Sequence, residues 1–216
     1  MSGKVVLFQG DSITDVHRSR EVEAQHTANL LLGQGYPGLV AASLLKQLPE
    51  RALQFHNRGI SGNRVVDLYA RWKIDALNLK PDLISILIGV NDTWHGVNPE
   101  RDNGVEPERY GMVYRQLLQW TRQQLPEVKL VLMEPFVLLT GAVEKHWLPE
   151  MRQRAVMVKE LSAEFDAVFL PCQSILDQAC KLAPAEYWLR DGVHPSLAGH
   201  QLLAEAWMKA TRDFFA

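Results

Sequence analysis

The sequence predicts a three-layer α/β/α sandwich built on a five-stranded parallel sheet. Three observations lead there. Five short apolar runs alternate with longer amphipathic segments. The runs are continuous rather than alternating, so the strands are buried on both faces. Strand–helix–strand succession produces right-handed crossovers, and those make neighbouring strands parallel.

The first run is 5–8, closed by Gly10-Asp11-Ser12. The second is 53–56, closed by Asn57-Arg58-Gly59. The strongest is 83–88, closed by Gly89-Val90-Asn91-Asp92. Runs 129–133 and 167–170 end at Glu134-Pro135 and Pro171. Between them, 38–48 carries Leu39, Ala42, Leu45 and Leu48 at helical spacing, and 65–77 carries Val66, Tyr69, Ala70, Lys73 and Leu77. Segment 107–125 opens on Pro107, a residue suited to the first turn of a helix. Segments 150–165 and 195–215 complete the helices. No repeat or linker interrupts 1–216, which reads as one domain. The long irregular stretch 16–35 is unusual in a compact fold; such loops carry function or pack on a neighbouring subunit.

Composition removes several classes. The chain has 216 residues, 47% apolar and 22% charged, too much apolar surface for a disordered chain. Its formal charge is 23 − 25 = −2, which argues against binding nucleic acid through bulk charge. No apolar run approaches the ~20 residues of a membrane span. Cys172 and Cys180 fit no zinc or redox spacing. Met1-Ser2-Gly3-Lys4 runs directly into Val5-Val6-Leu7-Phe8 without a signal-peptide pattern. The expectation is a cytoplasmic protein with no cofactor and no membrane partner. The Phe214-Phe215 pair and the 16–35 loop are the candidates for a homo-oligomer contact.

Ligands of an open parallel sheet bind beyond the carboxyl ends of its strands. Three such ends carry polar, Gly-rich sequence: Gly10-Asp11-Ser12-Ile13-Thr14-Asp15, Gly59-Ile60-Ser61-Gly62-Asn63 and Gly89-Val90-Asn91-Asp92. A fourth block, Asp191-Gly192-Val193-His194-Pro195-Ser196, precedes the last helix. Together these are the parts of an acyl-transfer site. Ser12 is the candidate nucleophile, at a helix start where a positive end favours a developing oxyanion. His194 is the candidate general base, and Asp191 the carboxylate that orients it. Gly192 and Pro195 oppose regular helix there, so a loop can align the pair. The oxyanion hole combines the backbone N–H groups of Ser12 and Gly62 with the Asn91 amide. Alone, Ser12 reads as a helix N-cap and Asn91 as a turn residue; the coincidence of the four blocks carries the catalytic reading. Asp11, Trp94 and Trp188 are candidates for contact with substrate, the tryptophans because aromatic faces suit sugar rings. His200 and His56 read as structural, and His17, His26, His95 and His146 have no fixed partner in sequence.

These blocks resemble the GDSL-type esterases of the SGNH hydrolase superfamily. The family's four blocks match Gly10-Asp11-Ser12-Ile13, Gly62, Asn91 and the Asp191/His194 pair, in the family's order. Further segments, among them Ala70-Arg71-Trp72 and His194-Pro195-Ser196-Leu197-Ala198-Gly199-His200, are similar to those of cytoplasmic bacterial acetyl xylan esterases. The resemblance implies a flavodoxin-like sandwich and metal-free hydrolysis of small acyl esters, with an acetylated sugar as substrate. Lysophospholipase, thioesterase and arylesterase activities belong to the same superfamily.

Two other classes share parts of the pattern. Asp11, Asp15, Asn91, Asp191 and His194 are conceivable hard-metal ligands, as in binuclear metallophosphoesterases. That site needs Asp-x-His on the first strand, and the residues before Asp11 include neither Asp nor His. A non-enzymatic binding module predicts no reactive serine. The α/β-hydrolase fold is disfavoured because no Gly-x-Ser-x-Gly elbow is present.

Overall fold

The computed structural model describes residues 3–20, 31–98, 100 and 102–216. The middle of the 16–35 loop, His26 included, lies outside the described residues. The strands are β1 (Val5–Gly10), β2 (Gln54–Asn57), β3 (Leu83–Leu87), β4 (Lys129–Met133) and β5 (Val168–Leu170). The helices are α1 (Ser12–Asp15), α2 (Tyr36–Gln47), α3 (Val65–Asp75), α4 (Val90–Val97), α5 (Pro107–Gln124), α6 (Leu148–Glu164), α7 (Cys172–Ala179), α8 (Ala185–Trp188) and α9 (Leu197–Phe215). The strands form one sheet in the order β2-β1-β3-β4-β5, with every pairing parallel. The expected sandwich is therefore present.

Side chains of successive strand residues enter opposite layers. From β1, Val6 and Phe8 join one apolar cluster and Leu7 joins the other. Phe8 packs edge-on against Tyr36 of α2 at 5.6 Å and lies tilted against Trp207 of α9 at 5.3 Å. Leu7 shares the opposite layer with Trp72 of α3 and Leu117 of α5. Both deeply buried indoles keep a partner for their N–H, which avoids the penalty of an orphaned donor. Trp207 donates to Ser85 Oγ and Trp72 to Thr121 Oγ1, each at 2.9 Å.

Three features depart from expectation. Val90–Val97 is a helix rather than a turn. Its eight residues are too few to be stable on propensity alone, and side chains of its first turn bond outward to other elements. The short helices α7 and α8 likewise stand outside the predicted helices, for the same reason. Finally, Phe214 and Phe215 are not a free surface pair. Phe215 packs on Trp207 inside the core, and the Lys4 ammonium lies 4.2 Å from the Phe214 ring centroid.

In this strand order the chain leaves β1 and β3 toward opposite neighbours, so a crevice opens between their carboxyl ends. Ser12 follows β1 and Asn91 follows β3.

Candidate active site

β1 ends at Gly10, and Asp11 then caps α1 by accepting the Ile13 N–H at 3.0 Å. This turn presents Ser12. Helix α1 has four residues, so its summed dipole is small and the expected contribution of a helix end shrinks accordingly. Individual N–H groups take its place.

Ser12 Oγ lies 2.8 Å from His194 Nε2, and His194 Nδ1 lies 2.6 Å from Asp191 Oδ2. The carboxylate accepts the Nδ1 proton, which leaves Nε2 as acceptor for the Ser12 hydroxyl. Asp191 Oδ1 also accepts the backbone N–H groups of Val193 and His194, at 3.0 and 2.7 Å. One carboxylate thus holds both the backbone and the ring of its partner. Partial burial opposes ionisation of Asp191, but these donors and the neighbouring imidazole hold its pKa below the usual carboxylate range. The loop needs Gly192: its φ is +86°, and a Cβ there would stand 2.4 Å from the Thr140 carbonyl oxygen. Leu138 N–H and Ala142 N–H bond the carbonyls of Gly192 and Asp191, docking the loop on the segment after β4.

Gly62 sits on a turn held at both feet. On one side, Asp15 accepts the Ser61 N–H at 3.0 Å and the Ser61 hydroxyl at 3.2 Å. On the other, Asp92 accepts the Val65 N–H at 3.0 Å. Asn91 adds a third tie, donating through Nδ2 to the Asn63 carbonyl at 3.1 Å. Gly62 itself has φ +81° and open space where a Cβ would be. Neither the Ser12 nor the Gly62 backbone N–H has an acceptor among the described residues, whereas Ile13, Thr14, Ser61 and Asn63 all use theirs. The Asn91 amide keeps a second hydrogen, and Asn91 lines the same pocket as Ser12 and Gly62. Three residues with an N–H to spare among the described contacts therefore line one pocket.

Burial pushes the carboxyl groups of Asp11 and Asp92 up to about 7, each partly offset by backbone N–H donors. His200 is pushed the other way by burial and by the nearby His194, to about 4. Its neutral Nδ1 accepts the Tyr36 N–H at 3.3 Å. The pocket has a volume of about 580 Å³. Trp94 forms part of its wall, with its ring centroid 5.9 Å from that of His194 and 5.4 Å from that of Trp147.

The structure thus brings together Ser12, Gly62, Asn91, Trp94, Asp191 and His194. Two expected substrate contacts fail. Asp11 is 1% exposed and does not line the pocket, because its carboxylate turns inward to cap α1. Trp188 faces a separate surface hollow with Leu182 and Leu202, its indole N–H bonded to the Ala183 carbonyl at 3.2 Å. Its backbone carbonyl instead accepts the Ser196 N–H, tying α8 to the start of α9. His200, read as structural, lines the pocket as well, as do His17, His95, Asn98 and Arg190. The sequence signal for His95 was its place one helical turn after Asn91. The five conceivable metal ligands do not converge: Asp11 caps α1, Asp15 holds Ser61, and Asp191 holds His194. Among the described residues no group of three or more His, Cys, Asp or Glu is placed to hold a metal ion.

The model of the GDSL-like Lipase/Acylhydrolase family matches residues 8–202. The chain belongs to this family. An acetylxylan esterase of Geobacillus stearothermophilus is 38% identical over 214 residues, spanning 96% of this chain and 94% of that protein. Among solved structures, a GDSL-like lipase from Parabacteroides merdae superposes with a TM-score of 0.92 at 44% identity, covering 98% of this chain and 96% of that one. The structure of the Geobacillus stearothermophilus acetylxylan esterase gives a TM-score of 0.85 at 34% identity, covering 97% and 94%. The expected GDSL-type carboxylic ester hydrolase is thereby borne out. No described helix of this hydrolase is long and apolar enough to cross a membrane.

Proposed function

We propose that this hydrolase removes acetyl groups from small carbohydrate esters such as acetylated xylo-oligosaccharides, with Ser12, His194 and Asp191 as its triad. The observation that carries the triad is the hydrogen-bonded chain Ser12–His194–Asp191, at 2.8 and 2.6 Å, in a pocket that Gly62 and Asn91 also line. His194 Nε2 takes the Ser12 proton as Oγ attacks the ester carbon. The Asp191 carboxylate stabilises the resulting imidazolium. The backbone N–H groups of Ser12 and Gly62 and the Asn91 amide bind the oxyanion of the tetrahedral intermediate. His194 then protonates the leaving alcohol, and an acetyl-Ser12 intermediate forms. Water, deprotonated by the same imidazole, attacks that ester through a second tetrahedral intermediate, releasing acetate and restoring Ser12.

The acetyl-sugar reading is supported by the acetylxylan esterase relative and by the Trp94 wall, whose flat apolar face suits a sugar ring. The unpaired cysteines Cys172 and Cys180 agree with a reducing, cytoplasmic setting. The test is a series of p-nitrophenyl esters from acetyl to octanoyl, run beside acetylated xylose and xylo-oligosaccharides. Fastest turnover at acetyl, with acetate released from the sugars, is expected. A maximum at octanoyl, or no acetate from any sugar, would overturn the substrate assignment in favour of a lysophospholipase- or thioesterase-type activity.

A further inference from the structure

The mouth of the pocket carries a charge pattern that a neutral acetyl sugar does not explain. Its lining among the described residues holds Arg190 and no Asp or Glu. Arg190 is exposed, and its guanidinium has no hydrogen bond or ion pair among the described residues. Elsewhere at this end of the sheet, Arg20 and Arg71 are paired with Asp15 and Asp75. Arg18, next to the pocket-lining His17, bonds the Gly59 carbonyl; burial lowers its pKa, and it feels the negative charge of Asp15 as well as the positive charges of Arg20, Arg58 and Arg71. Arg58, like Arg190, has no carboxylate partner among the described residues. At this end of a chain with a formal charge of −2, two guanidinium groups thus lack a carboxylate partner among the described residues, and that of Arg190 stands at the cleft, where it attracts an anionic ligand.

The position of Arg190 says which part of the ligand it meets. The Arg190 N–H donates to the His194 carbonyl at 3.2 Å, and an isolated bridge joins Leu189 to Pro195. Arg190 is therefore fixed to the loop that carries the general base. That base hands its proton to the leaving alcohol, so the alcohol side of the ester lies against this loop. A guanidinium presents a planar fork that matches a carboxylate.

We infer that Arg190 is a specificity-determining residue that binds a carboxylate on the alcohol part of the substrate, so that acetyl esters of acidic, uronic-acid-type sugars are preferred over neutral ones. This rests on the acetyl-sugar reading above. The preference acts mainly in substrate binding, because the carboxylate is remote from the reacting bond and is held equally before and in the transition state.

The experiment compares kcat/KM for a mono-O-acetyl methyl glucuronoside and a mono-O-acetyl methyl xyloside, in the unmodified enzyme and in Arg190→Gln and Arg190→Glu. The uronate-to-neutral ratio should exceed one in the unmodified enzyme and fall with added salt, which screens an exposed pair. Arg190→Gln should lower that ratio by roughly fivefold, through KM, the scale of an exposed ion pair. Arg190→Glu should carry it below one. A ratio unchanged by both variants while both esters are hydrolysed overturns the inference and leaves the acetyl-sugar reading standing. Hydrolysis of neither sugar ester by the unmodified enzyme overturns both.

Discussion

Replacing Asn91 with alanine separates two jobs that the structure gives one side chain. Asn91 is 5% exposed, and its Nδ2 ties the Asn63 carbonyl at 3.1 Å on the turn that carries Gly62. Its second amide hydrogen is the third donor of the proposed oxyanion hole. Losing the tie removes a neutral hydrogen bond, roughly 1 kcal/mol, which for a chain of this size lowers Tm by about 2–4 °C. Losing the oxyanion donor costs roughly 2.7–4 kcal/mol in the transition state, or about 10²–10³ in kcat. The second effect is several times the first and falls on a different observable. KM should change little, because that bond is made mainly in the transition state. Asn91→Asp should be at least as damaging, since a carboxylate has no hydrogen to donate and would face both the Asn63 carbonyl and the oxyanion. Steady-state hydrolysis of p-nitrophenyl acetate and thermal melting, measured on one preparation, decide the matter. An Asn91→Ala enzyme with the small Tm loss but a kcat within about threefold of the unmodified enzyme would refute the donor role.

Ser12→Ala should reduce turnover by on the order of 10⁴–10⁶ while the melting temperature moves by only a few degrees, because the change removes one hydrogen bond and little volume; most of the activity surviving in a folded variant would reject the nucleophile. His200 gives a stability prediction with a definite sign. Its folded-state pKa of about 4 lies below the usual 6.5, so between those values the unfolded chain binds the extra proton and stability is lost as pH falls. Melting curves of the unmodified protein and His200→Asn should accordingly converge or cross as pH drops from 7 toward 4, and a constant Tm difference across that range would contradict a buried neutral imidazole. EDTA should leave ester hydrolysis unchanged, since in the proposed mechanism amide donors carry the oxyanion charge; loss with EDTA and recovery with Mn²⁺ or Zn²⁺ would restore the phosphoesterase reading.

Much of this protein is legible in its sequence alone. Continuous apolar runs announced strands buried on both faces, and all five strands lie within two residues of where the runs placed them. The strand-end blocks then located Ser12, Gly62, Asn91 and the Asp191/His194 pair, because a parallel sheet delivers its strand ends to one edge. Both kinds of signal are local: periodicity over a few residues, and turn chemistry at fixed offsets. What tertiary structure decided is the direction of individual side chains. Asp11 turns in toward Ile13 N–H, while Asp15 and Asp92, with the same side chain and within the same blocks, brace the Gly62 turn from either side. Trp188 and Trp94 each lie three residues from a catalytic candidate, yet one faces away and the other forms the pocket wall. Helix α4 exists because Asp92 and Thr93 bond outward, to Val65 N–H and to Glu150 and Arg154, and not because its eight residues favour helix. In each case the deciding partner lies well away in sequence or the choice falls between equally allowed rotamers, and neither leaves a periodic trace in the chain.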